Sequence, residues 1–123
     1  MNTPAPAPDE GRIDCEVRGP ILLMAINRPA KRNGFTPAMY RQLAEAYTRL
    51  DDTPELRVGV LTAVGDHFTA GLDLPTFAPL MQRGEQPAPA GGVEPTELGL
   101  PGFRRRQKPI VVAVKGITYT LGI

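Results

Sequence analysis

Two stretches of this chain could do chemistry with backbone atoms alone. Phe68-Thr69-Ala70-Gly71-Leu72-Asp73-Leu74 and Gly116-Ile117-Thr118-Tyr119-Thr120-Leu121-Gly122-Ile123 both place glycine where a β-type run gives way to a turn. Glycine lets a chain turn sharply and come close to a ligand. At the first junction Leu72 and Asp73 open a predicted helix, where backbone N–H groups lack partners and the dipole is positive. At the second, the Leu121 N–H precedes Gly122 in the same kind of setting. An N–H so placed can donate to a carbonyl oxygen that becomes negative, worth about 3–4 kcal/mol to a transition state. Two such junctions on parallel strands could bring two N–H groups to one point. Asp73 is well placed to cap the first helix, a positional role rather than a catalytic one.

Side-chain chemistry is scarce by comparison. The chain has no serine, so a serine nucleophile is impossible. One His and one Cys cannot make a structural zinc site, and no metal or resident cofactor is expected. His67 lies in a polar turn and reads as a satisfied surface histidine rather than a general base. No Gly-x-Gly-x-x-Gly or Walker-type loop supports dinucleotide or nucleotide binding of those kinds. A net charge of +1 exerts no global pull toward nucleic acid or membrane. The cluster Arg104-Arg105-Arg106-Gln107-Lys108 reads as a solvated face. Cys15 is the one cysteine, so no intramolecular disulfide can form, which fits a reducing, cytoplasmic setting. Met1 to Gly11 lacks the basic start and apolar core of a signal peptide, and no apolar run is long enough to span a bilayer.

The elements that must position these junctions follow from hydrophobic patterning. Apolar content of 41% and charged content of 22% are those of an ordinary globular domain, and the length allows one domain at most. Residues 1–11 form a Pro/Ala tail expected to be disordered. In Arg12–Arg18, Ile13, Cys15 and Val17 alternate with Asp14, Glu16 and Arg18, a strand pattern. Gly19-Pro20 is a turn, and Ile21–Ile26 reads as a strand buried on both faces, the pair forming a hairpin. A loop over 27–35 leads to Thr36-Pro37, an N-cap and first helical position. The helix runs to about Leu50, with Tyr40, Leu43, Ala44, Tyr47 and Leu50 as its apolar stripe and Arg41, Glu45 and Arg49 able to pair opposite. Arg57–Thr62 is a second buried strand, and strand–helix–strand order implies a parallel crossover. A short helix around Thr76–Met81 follows the first junction. Residues 82–99 are rich in Pro, Gly and Glu and read as a mobile loop. Phe103–Gln107 suggests a helical turn, and Ile110–Val114 a third core strand.

At this point the sequence resembles the crotonase, or enoyl-CoA hydratase/isomerase, superfamily. Ala25-Ile26-Asn27-Arg28-Pro29-Ala30-Lys31-Arg32-Asn33 is similar to the family's Leu-Asn-Arg-Pro-x-x-x-Asn loop. Arg57–Thr62 followed by Phe68–Leu74 resembles its Ala-Gly-x-Asp-Leu block. Lys108-Pro109-Ile110-Val111-Val112-Ala113-Val114-Lys115-Gly116 resembles its Lys-Pro-x-Ile-Ala-Ala-Val-x-Gly strand. Three ordered blocks make a specific signal, covering Cys15 to Ile123 apart from 82–99.

The resemblance implies an α/β crotonase-like ββα spiral, of which 12–123 would be the N-terminal half. It implies acyl-CoA thioesters as substrates, with coenzyme A arriving as part of the substrate. Two backbone N–H groups, those of Leu72 and Leu121, would form an oxyanion hole for an enolate-type anion. Ala30, Lys31 and Arg32 would sit against the coenzyme A nucleotide. Ala70, Gly71, Leu72, Asp73, Leu74 and Pro75, with Leu121 and Gly122, would line the thioester. Homotrimers or hexamers are the family's assemblies. The second junction departs from the family's usual glycine run.

The hydratases place a catalytic glutamate just beyond Ile123 and another further on, and Asp73, Glu94 and Glu97 match neither position. The chain is therefore expected to be the N-terminal portion of such an enzyme. The alternatives are a non-catalytic acyl-CoA-binding module or an inactive fragment. The 82–99 segment falls where the family's acyl pocket wall varies.

Overall fold

The computed structural model describes residues 10–96 and 101–119. Strand β1 (Arg12–Arg18) turns back at Gly19-Pro20 into β2 (Ile21–Asn27), and the two pair antiparallel with Cys15 opposite Met24. Helix α1 (Pro37–Asp52) carries the chain to β3 (Val58–Ala63), which pairs parallel to β2 with Met24 opposite Leu61. Helix α2 (Leu74–Arg83) precedes β4 (Ile110–Val112), parallel to β3 with Val60 opposite Val111. The sheet order is β1-β2-β3-β4.

The start of α1 is built as its sequence requires. Thr36 Oγ1 accepts from the Met39 N–H at 3.2 Å, and Pro37 occupies a first-turn position that needs no donor. Thr36 Oγ1 also donates to the Glu10 carbonyl at 2.7 Å. Gly11 is buried and the Glu10 carbonyl is bonded, so packed chain takes in the last two residues of the expected tail. Residues 1–9 of that tail lie outside the described residues.

Helix α1 covers one face of the sheet, burying Met39, Tyr40, Leu43, Ala44, Ala46, Tyr47 and Leu50 against Leu22, Met24, Ile26 and Leu61. Each large side chain so buried contributes about 1.5–3 kcal/mol. The opposite face of the sheet has no such cover among the described residues. Ile21, Leu23 and Ala25 of β2 are therefore only half-buried, and the expected two-faced burial is not found. The third strand is shorter than Ile110–Val114 and not a core strand. Val111 and Val112 are exposed because β4 forms the sheet edge, beyond the reach of α1. Arg41, Glu45 and Arg49 are exposed and form no ion pair with one another.

The basic cluster is not merely solvated. Lys108 Nζ donates to the carbonyls of Leu50, Thr53 and Leu56 at 2.8, 2.7 and 2.6 Å. These are carbonyls at or just beyond the C-terminal end of α1, where a cation complements the dipole. Arg104 grips the Asp52 carboxylate through two nitrogens at 2.8 and 3.0 Å. The Asp51 carboxylate accepts from the backbone N–H groups of Gln107 and Lys108 at 2.8 and 3.2 Å. Phe103–Gln107 is irregular rather than helical, with a single bridge from Arg104 to Val93. Its Arg104 N–H donates to the Gly92 carbonyl at 2.9 Å.

The segment from Gly84 to Thr96 is irregular, as expected, but anchored. Ala88, Val93 and Glu94 are buried, and the Val93 N–H donates to Thr48 Oγ1 at 2.9 Å. Residues 97–99 of the expected loop lie outside the described residues.

Candidate functional site

The loop after β2 is a knot of satisfied polar groups. Pro29–Lys31 forms a 3-10 turn, and Arg32 and Asn33 follow in the left-handed region at φ 50 and 56. Asparagine tolerates that region better than most residues. Asn33 is buried, and its side chain makes three hydrogen bonds. Oδ1 accepts from the Arg28 N–H at 2.7 Å, while Nδ2 donates to the Val64 and His67 carbonyls, each at 2.8 Å. Arg28 is also buried. Its Nη1 donates to the Gly34 carbonyl at 3.1 Å and lies 3.4 Å from Asp73 Oδ2. One asparagine and one arginine thus tie the 28–34 loop to the first glycine junction.

The junction itself is stitched along both edges. On one edge the Ala70 N–H donates to the Arg32 carbonyl at 2.9 Å. Beyond it the Phe35 N–H donates to the Gly71 carbonyl and the Asp73 N–H to the Phe35 carbonyl, both at 2.7 Å. On the other edge the Thr69 N–H donates to the Ile117 carbonyl at 3.1 Å, and the Tyr119 N–H to the Thr69 carbonyl at 3.0 Å. The Gly71 N–H donates to Thr69 Oγ1 at 3.1 Å, a turn that needs the φ of 97 that Gly71 adopts.

Leu72 is the exception. Phe35 bonds to the residues either side of it, which is the parallel-bridge pattern. The Leu72 N–H therefore points away from the 33–35 segment, and it makes no hydrogen bond among the described residues. Helix α2 begins at Leu74, later than Leu72 and Asp73 but earlier than Thr76. Asp73 occupies the N-cap position, yet its side chain does not cap. Oδ2 instead accepts from Thr76 Oγ1 at 3.0 Å and faces Arg28.

Beside Leu72 opens a cleft of about 440 Å³. Tyr40, Leu72, Phe77, Leu80 and Met81 make its apolar wall, and Glu85, Gln86, Glu94 and Thr96 its polar one. The Tyr40 and Phe77 rings meet edge to face, centroids 6.2 Å apart. Glu94 is only 2% exposed. Its carboxylate accepts from the Tyr40 and Thr96 hydroxyls. Neither residue stood out in the sequence. Tyr40 reads as one member of an apolar stripe, and Glu94 as one acid in a Pro/Gly-rich segment. The one available signal was that a buried tyrosine hydroxyl needs a partner.

The second junction leans on the first. The Phe68 N–H is shared between the Lys115 and Ile117 carbonyls at 2.8 and 3.1 Å. His67 is a satisfied, half-buried side chain: its Nδ1 accepts from the Ile117 N–H at 3.0 Å. Gly116 sits at φ 55, and a Cβ there would come within 2.4 Å of the Asp66 carbonyl oxygen.

Of the residues singled out from sequence, Ala70, Gly71, Leu72 and Asp73 are drawn together with Arg32 by this stitching. Ala30, Lys31 and Arg32 form an exposed corner beside it, and Leu74 and Pro75 are exposed at the start of α2. Leu121 and Gly122 lie outside the described residues. Among the described residues no three His, Cys, Asp or Glu side chains gather to hold a metal ion, and no helix is long and apolar enough to cross a membrane.

A hairpin, a parallel crossover and a stitched glycine junction beside an apolar cleft define a crotonase-type α/β fold. A probable enoyl-CoA hydratase/isomerase from Mycobacterium abscessus superposes with a TM-score of 0.80 at 39% identity, over 89% of this chain and 41% of that one. The chain belongs to the enoyl-CoA hydratase/isomerase family, whose model matches residues 16–123. Enoyl-CoA hydratase EchA19 of Mycobacterium tuberculosis is 35% identical over 107 residues, 82% of this chain and 38% of the relative. Mevalonyl-coenzyme A hydratase sidH of Aspergillus fumigatus is 39% identical over 107 residues, 83% of this chain and 36% of the relative. The chain thus spans well under half the length of these relatives.

Proposed function

We propose that this chain builds the thioester-holding part of a protein acting on 2-enoyl-CoA or a related acyl-CoA, by hydration or double-bond shift. The observation that carries this reading is the unpartnered Leu72 N–H. The N–H groups of Ala70, Gly71 and Asp73 around it are all taken. A donor left open beside an apolar cleft suits a carbonyl oxygen. When the thioester carbon skeleton takes on enolate character, negative charge moves to that oxygen. A fixed donor then binds the transition state better than the ground state, by about 3–4 kcal/mol. Leu121 N–H is the proposed second donor; it lies outside the described residues, two positions beyond Tyr119 in the sequence, whose N–H bonds the Thr69 carbonyl.

In this reading the acyl chain enters the cleft between Tyr40, Phe77, Leu80 and Met81. The exposed Ala30–Arg32 corner receives the coenzyme A nucleotide, with Lys31 and Arg32 offering positive charge to its phosphates. Asp73 positions rather than reacts, because Arg28 and Thr76 already engage its carboxylate.

The test is a spectrophotometric assay of crotonyl-CoA with the full gene product, following loss of the conjugated enoyl-thioester absorbance. Titration of butyryl-CoA by calorimetry accompanies it. The reading expects saturable binding and turnover. Absence of both binding and turnover in folded protein contradicts it.

A further inference from the structure

Three consecutive peptide groups set the direction of the Leu72 N–H. Each is a planar trans unit, so its C=O and N–H point opposite ways. The 71–72 peptide is held by its carbonyl, which accepts from the Phe35 N–H at 2.7 Å and so sends the Leu72 N–H away from Phe35. The 69–70 peptide is held at both ends. Its Thr69 carbonyl accepts from the Tyr119 N–H at 3.0 Å, and its Ala70 N–H donates to the Arg32 carbonyl at 2.9 Å. The 70–71 peptide between them has no backbone partner. Its Ala70 carbonyl accepts no hydrogen bond among the described residues, and its Gly71 N–H donates only to Thr69 Oγ1, at 3.1 Å. Glycine itself does not resist rotation there, since the φ of 97 is one of many it can adopt.

Thr69 is fully buried, and its hydroxyl donates to the Asn33 carbonyl at 2.6 Å while it accepts from Gly71. One proton and two lone pairs let a hydroxyl do both at once. Donation to Asn33 fixes the proton and keeps a lone pair turned to the Gly71 N–H. One side-chain oxygen thus ties the left-handed Asn33 corner to the peptide that backbone bonds leave unheld. We propose that Thr69 is a positioning residue, whose hydroxyl aims the Leu72 N–H at the carbonyl oxygen of the substrate. The proposal rests on the acyl-CoA reading of the same site. Without the hydroxyl the 70–71 peptide turns, φ of Gly71 changes with it, and the 71–72 peptide tilts about its bond to Phe35. The Leu72 N–H then misses the point where negative charge develops. A donor that acts on the transition state shows its loss in kcat rather than in KM.

The experiment compares Thr69→Val and Thr69→Ser with the wild type in the full gene product. Valine keeps the branched shape without the hydroxyl, and serine keeps the hydroxyl without the methyl. With crotonyl-CoA, Thr69→Val is expected to lower kcat about 100-fold, the effect of misplacing a group by about 1 Å, with KM within about threefold. Thr69→Ser is expected to keep kcat within about fivefold of the wild type, because the relay survives. A purely structural role predicts a lower melting temperature in Thr69→Val with the kcat of the folded variant unchanged, and that result overturns the proposal. So does a rise in KM alone, or a Thr69→Ser variant as impaired in kcat as Thr69→Val.

Amide hydrogen exchange decides the matter even if Thr69→Val fails to fold. In the wild type and in Thr69→Ser the Gly71 amide should exchange as slowly as its neighbours Ala70 and Asp73. Free exchange at Gly71 in the wild type means that the hydroxyl does not hold the turn, and it overturns this proposal while the acyl-CoA reading stands. A wild type that turns over crotonyl-CoA beside an equally active Thr69→Val separates the two in the same way. A folded wild type that neither binds nor turns over a thioester overturns both.

Discussion

The two glycine junctions look alike in sequence and are held very differently. The first, around Gly71, is bonded along both edges, to the 32–35 segment on one side and to 117–119 on the other. It also receives two buried side-chain ties, from Arg28 and Asn33. The second, around Gly116, hangs on Phe68, Thr69 and the His67 imidazole, and its residues are largely exposed. The first junction is therefore a framework, and the second takes its position from it. Rigid support around a donor is what lets it act without reorganising.

The largest perturbation should come from the framework side. Asn33→Leu strips partners from the Arg28 N–H and from the Val64 and His67 carbonyls. Buried groups left unpaired cost about 1–3 kcal/mol each, so a loss of about 3 kcal/mol is expected. A lower urea midpoint at unchanged slope would show it, and amides of both junctions should exchange faster. Gly116→Ala should be milder and one-sided, about 2 kcal/mol, from the positive φ and the close Asp66 carbonyl. Hydrogen exchange should rise at Tyr119 while Ala70 and Asp73 keep their protection. If Ala70 and Asp73 lose protection equally, the two junctions form one unit and the contrast drawn here fails.

His67→Ala removes a single acceptor, that of the Ile117 N–H, and should cost about 1 kcal/mol. Faster exchange at the Ile117 amide alone would sharpen the contrast further.

The smallest effect is expected far from both junctions. The Arg104 guanidinium holds the Asp52 carboxyl below the usual carboxylate value, chiefly by its hydrogen bonds. A depressed carboxyl contributes stability that is present above the ordinary value. That stability is lost as pH falls through the lowered one. Asp52→Asn should flatten that acid limb slightly in a series of melting temperatures, leave both junctions' exchange unchanged, and lose its effect in high salt.

Much of this was legible in the sequence. The strand β1, the Thr36-Pro37 start of α1 and the parallel run of β3 each follow from local patterning, and each is found, although of the apolar face of β1 only Ile13 is buried and Cys15 and Val17 are exposed. The Ala70-Gly71-Leu72 turn was legible because glycine alone suits its backbone. What was not legible depends on distant partners. Lys108 looks like one more surface cation until the carbonyls of Leu50, Thr53 and Leu56 converge on it. Glu94 and Tyr40 lie 54 residues apart, and no local spacing links them. Burial was overestimated for β2 and β4, because apolar runs report a wish to be covered and not whether a neighbour covers them.

The central claim is that the Leu72 N–H is held open for a carbonyl oxygen. It is tested most directly by amide NMR of isotope-labelled protein titrated with acetoacetyl-CoA, an enolisable thioester. The account predicts that the Leu72 amide shifts strongly and gains exchange protection at saturation, while the already bonded Ala70 and Asp73 amides barely move. A saturated complex in which the Leu72 amide stays where it was would contradict it.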